Sequence, residues 1–116
     1  MPKIKLLTTQ CIVPDETDKD EMYLKYDGNK IWPTGNKFWR IDTGEKADIN
    51  LEIEVPDGWV KIELWDYDYA SLNDHLGDFD FEVSSALPGK YSTSMHITEK
   101  NTTASYILSW EVLGEY

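Results

Sequence analysis

Nowhere among the 116 residues do apolar side chains recur at the i, i+3, i+4, i+7 spacing of an amphipathic helix. They alternate instead. Val60, Ile62 and Leu64 are interleaved with Lys61, Glu63 and Trp65, the period-two pattern of a strand that buries one face. Runs of this kind are separated by Asp27-Gly28-Asn29, Pro56-Asp57-Gly58 and Leu87-Pro88-Gly89, turn sequences in which glycine supplies positive φ. The pattern predicts strands at about 3–13, 22–26, 30–32, 37–41, 49–55, 59–65, 78–83, 91–98 and 105–113. With the shortest runs merging, the expectation is an all-β fold: an eight-stranded antiparallel sandwich with Greek-key connections.

A chain of 116 residues fits one domain, 1–116, with a single core. Hydrophobic residues at 41% and aromatics at 13% are enough to fold it, yet no apolar run reaches the roughly 18 residues that a membrane span needs. Met1 to Gln10 lacks the apolar stretch and small-residue cleavage site of a secretory signal, which points to the cytoplasm, with secretion left open. The lone Cys11 excludes an internal disulfide and reads as a small buried thiol on the first strand. A monomer is expected.

The acidity is local. Asp15 to Glu21 holds five acids against one lysine, and Glu63 to Glu82 holds seven acids and no Lys or Arg. Together these two segments account for the whole formal net charge of −11, while the remainder carries ten acids and ten bases. Like charge concentrated in this way destabilises a fold unless something neutralises it. Both segments follow strand-like runs. The spacing of Asp66, Asp68 and Asp74 brings carboxylates to two ends of one tight loop, a donor set suited to a hard cation. An EF-hand is excluded: counting from Asp66, Ser71 falls where that loop needs Gly and Gly77 where it needs Glu.

Val60 to Gly77, with Leu64-Trp65-Asp66-Tyr67-Asp68 and then Asp74-His75-Leu76-Gly77, resembles the strand, third calcium loop and following strand of a C2 domain, the calcium- and phospholipid-binding β-sandwich. Asp15, followed six positions later by Glu21-Met22-Tyr23-Leu24-Lys25, is similar to the first calcium loop of that family, with Glu in place of its second Asp and Met in place of its Pro. Residues 27–50 lie outside the resemblance. A single strand precedes the first loop, which matches the circularly permuted (type II-like) form with its last strand at Ser105 to Leu113.

The resemblance implies Ca2+ held between two loops by Asp15, Asp66, Asp68 and Asp74, with Glu21, or Asp18 or Asp20 in its place, and carbonyls near Pro14 and Tyr67. It further implies calcium-dependent attachment to a phospholipid membrane, with Tyr67, Tyr69 and Leu72 at the loop tip entering the interface. No Lys or Arg lies in that loop, which favours a zwitterionic or mixed surface over an anionic one. Lys25, Lys30, Lys37 and Arg40 resemble in placement the basic sheet patch with which some family members bind phosphoinositides; ordinary surface cations would look the same.

Two other classes compete. One is a protein-interaction sandwich, calcium-stabilised or metal-free, that docks a protein partner through its acidic loops. The other is a calcium-assisted carbohydrate-binding module that stacks sugars on Trp32 and Trp39. An enzyme is not expected, because no nucleophile motif or phosphate loop is present, and His75 and His96 lack the partner spacing of a zinc site. His96 should face solvent. Nucleic acid does not fit a chain this acidic.

Overall fold

The computed structural model describes residues 1–15, 19–69, 72–98 and 102–114. Lys3–Val13 forms one long strand, β1, whose inward positions run Ile4, Leu6 and then, after a bulge between Leu6 and Thr8, Thr9 and Cys11. The bulge shifts the alternation by one residue. Strands β2 (Asp20–Tyr26) and β3 (Asn29–Trp32) form a hairpin whose turn is Asp27-Gly28, with φ of 52° and 80°. Positive φ at both turn residues matches the twist of the flanking strands and explains the glycine.

The other elements are β4 (Trp39–Ile41), β5 (Lys46–Glu54), β6 (Gly58–Asp66), β7 (Asp74–Val83), β8 (Gly89–Ser94), β9 (His96–Ile97) and β10 (Ser105–Gly114). They pair antiparallel in two sheets, one ordered β5-β1-β10-β8 and the other β3-β2-β6-β7-β9, with β4 also on β2. Successive strands cross between the sheets at β1–β2, β4–β5, β5–β6, β7–β8, β8–β9 and β9–β10.

Ten strands among the described residues replace the expected eight. The difference has two sources. β3 and β4 lie on the two halves of β2 and act as one interrupted edge strand, and β8 and β9 are separated by Met95 alone, where the chain changes sheets. The C-terminal β10 pairs with β1 from Lys3↔Gly114 to Val13↔Ser105, as the permuted strand order requires.

Between the sheets lies a continuous core that includes Ile4, Leu6, Leu24, Ile62, Leu64, Phe79, Tyr106 and Leu108, each 0% exposed. Phe81, Trp110 and Tyr91 extend it as a stack, with Phe81–Trp110 centroids at 4.1 Å and Tyr91–Trp110 at 4.8 Å. Cys11 is buried, as expected, and His96 is exposed. No helix among the described residues is long and apolar enough to cross a membrane.

Candidate metal centre

The inward stripe of β6, Val60, Ile62 and Leu64, does not stop at the end of the core but continues to Asp66, which is 2% exposed. The inward stripe of β2, Leu24 and Met22, likewise continues to Asp20, which is 0% exposed. Core geometry therefore delivers carboxylates to one end of the sandwich, where burial demands partners. Asp66 accepts the Glu21 N–H at 2.9 Å through Oδ1. Both oxygens of Asp20 accept the Asp15 N–H, at 3.0 and 2.9 Å, and Oδ2 also accepts the Tyr106 hydroxyl. Asp20 thus serves as an anchor that ties Asp15 to the start of β2.

Asp15 is fixed a second time. The Thr102 hydroxyl donates to its Oδ1, while Thr102 Oγ1 accepts the Ala104 N–H at 3.1 Å. Asp66 and Asp74 face each other across the β6–β7 ladder. The result is one oxygen each from Asp15, Asp66 and Asp74 within 4.8 Å of one another. Opposite ligands on a Ca2+ that takes oxygens at about 2.4 Å lie about 4.8 Å apart, so the three carboxylates fit around one such ion.

Glu21 and Asp68 are neighbours of this group without belonging to it. Glu21 Oε2 is buried and has no hydrogen-bond partner. The backbone N–H of Glu21 is the one that Asp66 accepts, and an orphaned carboxylate oxygen is of the kind that a hard cation satisfies. The Asp68 N–H donates to Asn73 Oδ1 at 2.9 Å, and Asn73 Nδ2 donates to the Tyr23 hydroxyl at 2.8 Å, which ties the third loop to the sheet. Asp18 lies outside the described residues.

At the tip, Tyr69 is 69% and Leu72 88% exposed. Tyr67 stacks on Phe38 at 5.3 Å, and Tyr69 meets both rings edge-on at 5.0 and 5.9 Å. Phe38, which precedes β4, belongs to the cluster although the resemblance did not reach it. The expectation that the tip lacks basic residues needs correction. Lys37 Nζ lies 5.7 Å from the Tyr67 ring and Arg40 Cζ 6.0 Å from the Phe38 ring, because β4 pairs beside the loop instead of running away from it.

The other two residues of the basic patch, Lys25 and Lys30, are also engaged. Lys25 sits over Trp65 at 4.5 Å, and Lys30 donates to the Asn36 carbonyl. The two tryptophans considered for sugar stacking pack on each other, with centroids at 5.8 Å. Trp32 is 6% exposed and belongs to the core, which leaves only Trp39 with an open face. Phe38, Asn73 and Thr102 were missed because a lone aromatic, amide or hydroxyl in a loop has no spacing that marks it.

Burial raises the Tyr106 hydroxyl well above its ordinary pKa, and the neighbouring Asp20 charge adds to this. Burial likewise pushes the Cys11 thiol from 9.0 up to about 11. Both groups keep their protons at neutral pH, so Tyr106 acts as a standing donor to Asp20. Burial raises the Tyr23 hydroxyl as well.

The two antiparallel sheets, their strand order and the acid-tipped end of the sandwich define a C2-like fold. No family model and no curated protein matches the chain. Among solved structures it is similar to C2 domain A of a plant extended synaptotagmin 1, with a TM-score of 0.54 and 8% identity over 99% of this chain and 95% of that one. At that identity the likeness speaks for the fold.

Proposed function

We propose that this chain is a calcium-binding module of C2 type whose acidic loops attach to a phospholipid surface when the ion is bound. The observation that carries the reading is the convergence of Asp15, Asp66 and Asp74, with one oxygen of each within 4.8 Å of the others. The donor set is all oxygen, as Ca2+ prefers. Asp15, Asp66 and Asp74 would hold the ion, with Glu21 and Asp68 as further ligands. Bound Ca2+ supplies positive charge and coordination positions open to lipid phosphate.

The rest is done by side chains. Asp20, backed by Tyr106, and Thr102 hold Asp15 in place, so less ordering of that ligand is required when the ion arrives. Phe38, Tyr67, Tyr69 and Leu72 form an apolar and aromatic tip of the kind that settles at a membrane interface. Lys37 and Arg40 give that tip a cationic rim suited to anionic headgroups. The loops are strongly negative without an ion, and attachment therefore waits on its binding.

Thermal unfolding in excess EDTA, in Ca2+ and in Mg2+ tests the site, with Asp66→Asn/Asp68→Asn as the control. An ion at a thousand times its Kd stabilises the folded state by about 4 kcal/mol, a plain midpoint shift. Co-sedimentation with vesicles in Ca2+ and in chelator then tests attachment. No calcium shift would sink the metal reading and leave a metal-free interaction module; a shift without vesicle binding would sink the lipid reading alone.

A further inference from the structure

On the outer face of the β3-β2-β6-β7-β9 sheet, apart from the acidic loops, Glu63, His75 and Asp78 each offer a ligand atom within 4.8 Å of the others. Sequence spacing argues against such a group, because residues three apart in a regular strand point to opposite faces. A bulge in the β6–β7 pairing reverses this. Leu64 pairs with Gly77 but Trp65 pairs with His75, so Leu76 is an extra residue. Leu76 turns into the core, at 0% exposure, and His75 comes out on the same face as Asp78. Re-aiming a side chain is a common consequence of a bulge. Asp78 pairs with Glu63 across the ladder, which brings in the third group.

The geometry is built for one shared point. His75 Nε2 lies 2.7 Å from Asp78 Oδ1 and 3.7 Å from Glu63 Oε1. Two ligands of a tetrahedral Zn2+ bound at about 2.0–2.1 Å are about 3.3 Å apart, between those two separations. The imidazole is fixed by stacking on Trp65, with centroids at 4.8 Å and an interplanar angle of 4°. The same indole donates its N–H to Glu63 Oε1 at 2.9 Å, the type of supporting bond that orients metal-binding carboxylates. Lys61 faces the other Asp78 oxygen at 3.9 Å, so Oδ1 is the atom turned to the ring. Asp78 is 8% exposed, while His75 at 30% and Glu63 at 22% leave the point open to solvent.

We propose that Glu63, His75 and Asp78 form a second metal site, selective for Zn2+ or a similar late transition ion over Ca2+. One imidazole and two carboxylates suit such an ion, with the imidazole in the tautomer that leaves Nε2 unprotonated and a solvent molecule as the fourth ligand. Ca2+ prefers an all-oxygen shell of six to eight donors and is poorly served here. This inference goes beyond the calcium reading and does not depend on it.

The test is calorimetric titration of the whole chain with Zn2+ alone, and spectrophotometric titration with Co2+ for its visible absorption bands. His75→Gln, Glu63→Gln, His96→Gln and Asp66→Asn are compared, with circular dichroism confirming that each folds. The expected result is one ion per chain, at least tenfold weaker in His75→Gln, weakened in Glu63→Gln and unchanged in His96→Gln and Asp66→Asn. Undiminished binding in His75→Gln, or no binding by the unaltered chain, overturns the proposal and leaves a structural His–Asp pair. Loss in Asp66→Asn also overturns it, because the ion would then sit in the loops.

Discussion

Asp66 and Asp74 are a directly opposed pair of the β6–β7 ladder, so two carboxylates share one rung at the end of the sandwich. Like charges directly opposite each other in a sheet are destabilising. Asp74→Asn should therefore raise the unfolding midpoint in EDTA, by up to a few degrees, while removing most of the gain from Ca2+. Opposite signs in the two media are the signature. A variant that melts lower than the original chain in EDTA would mean that the pair is not in conflict there.

Gly77 carries a different constraint. A Cβ built on it meets the His96 carbonyl oxygen at 2.5 Å and the Met95 side chain at 2.6 Å, where β9 pairs against β7. A backbone oxygen cannot move aside as a side chain can. Gly77→Ala should cost about 1–3 kcal/mol, as overpacking does, by displacing β9. Equilibrium denaturation measures this, and an unchanged midpoint would show that Met95 and His96 yield freely.

How far the sequence could be read depended on which force set each position. β1 matches its predicted bounds, Lys3 to Val13, and the alternation of Val60, Ile62 and Leu64 places β6, because apolar periodicity and burial agree there. The first residues of β2 and β7, Asp20 and Asp74, were read as loop. Carboxylates look like loop residues by composition, yet a sandwich end can keep them in strand when a hydroxyl, an N–H or an ion satisfies them. The grouping of Asp15, Asp66 and Asp74 follows the predicted spacing, whereas the roles of Asp20 with Tyr106 and of Asp15 with Thr102 depend on contacts between residues more than 80 positions apart. His75 was set aside for want of partners. Its partners arise from the bulge at Leu76, which no residue type announces.

The basic rim of the tip makes its own demand. Each Lys or Arg near an anionic leaflet contributes about 1 kcal/mol, or about fivefold in affinity. Lys37→Gln and Arg40→Gln together should weaken calcium-dependent binding to anionic vesicles about 25-fold by that scale, with little effect on binding of the ion itself. The effect should shrink as salt is raised. Equal loss on neutral vesicles would assign these residues to holding Phe38 and Tyr67 in place instead of to headgroup contact.

Cys11 and Tyr106 both hold their protons more tightly in the folded chain than in the unfolded one, since burial raises the thiol from 9.0 to about 11 and lifts the Tyr106 hydroxyl beyond its ordinary value. Below pH 9 both states are protonated and the contribution is complete. Above it the unfolded chain releases protons that the folded one keeps, so stability falls as pH rises. The thiol part of that loss runs from about 9 to 11. The Tyr106 part begins near pH 10, where an unfolded tyrosine ionises, and continues upward. Tyr106→Phe should flatten the profile above pH 10. It should also cost about 1.5–3 kcal/mol at neutral pH, because the buried Asp20 carboxylate loses a hydroxyl donor. Denaturation midpoints across pH 7 to 11, with phenolate absorbance at 295 nm recorded alongside, measure both effects. A profile in Tyr106→Phe as steep as in the original chain would place the alkaline sensitivity elsewhere.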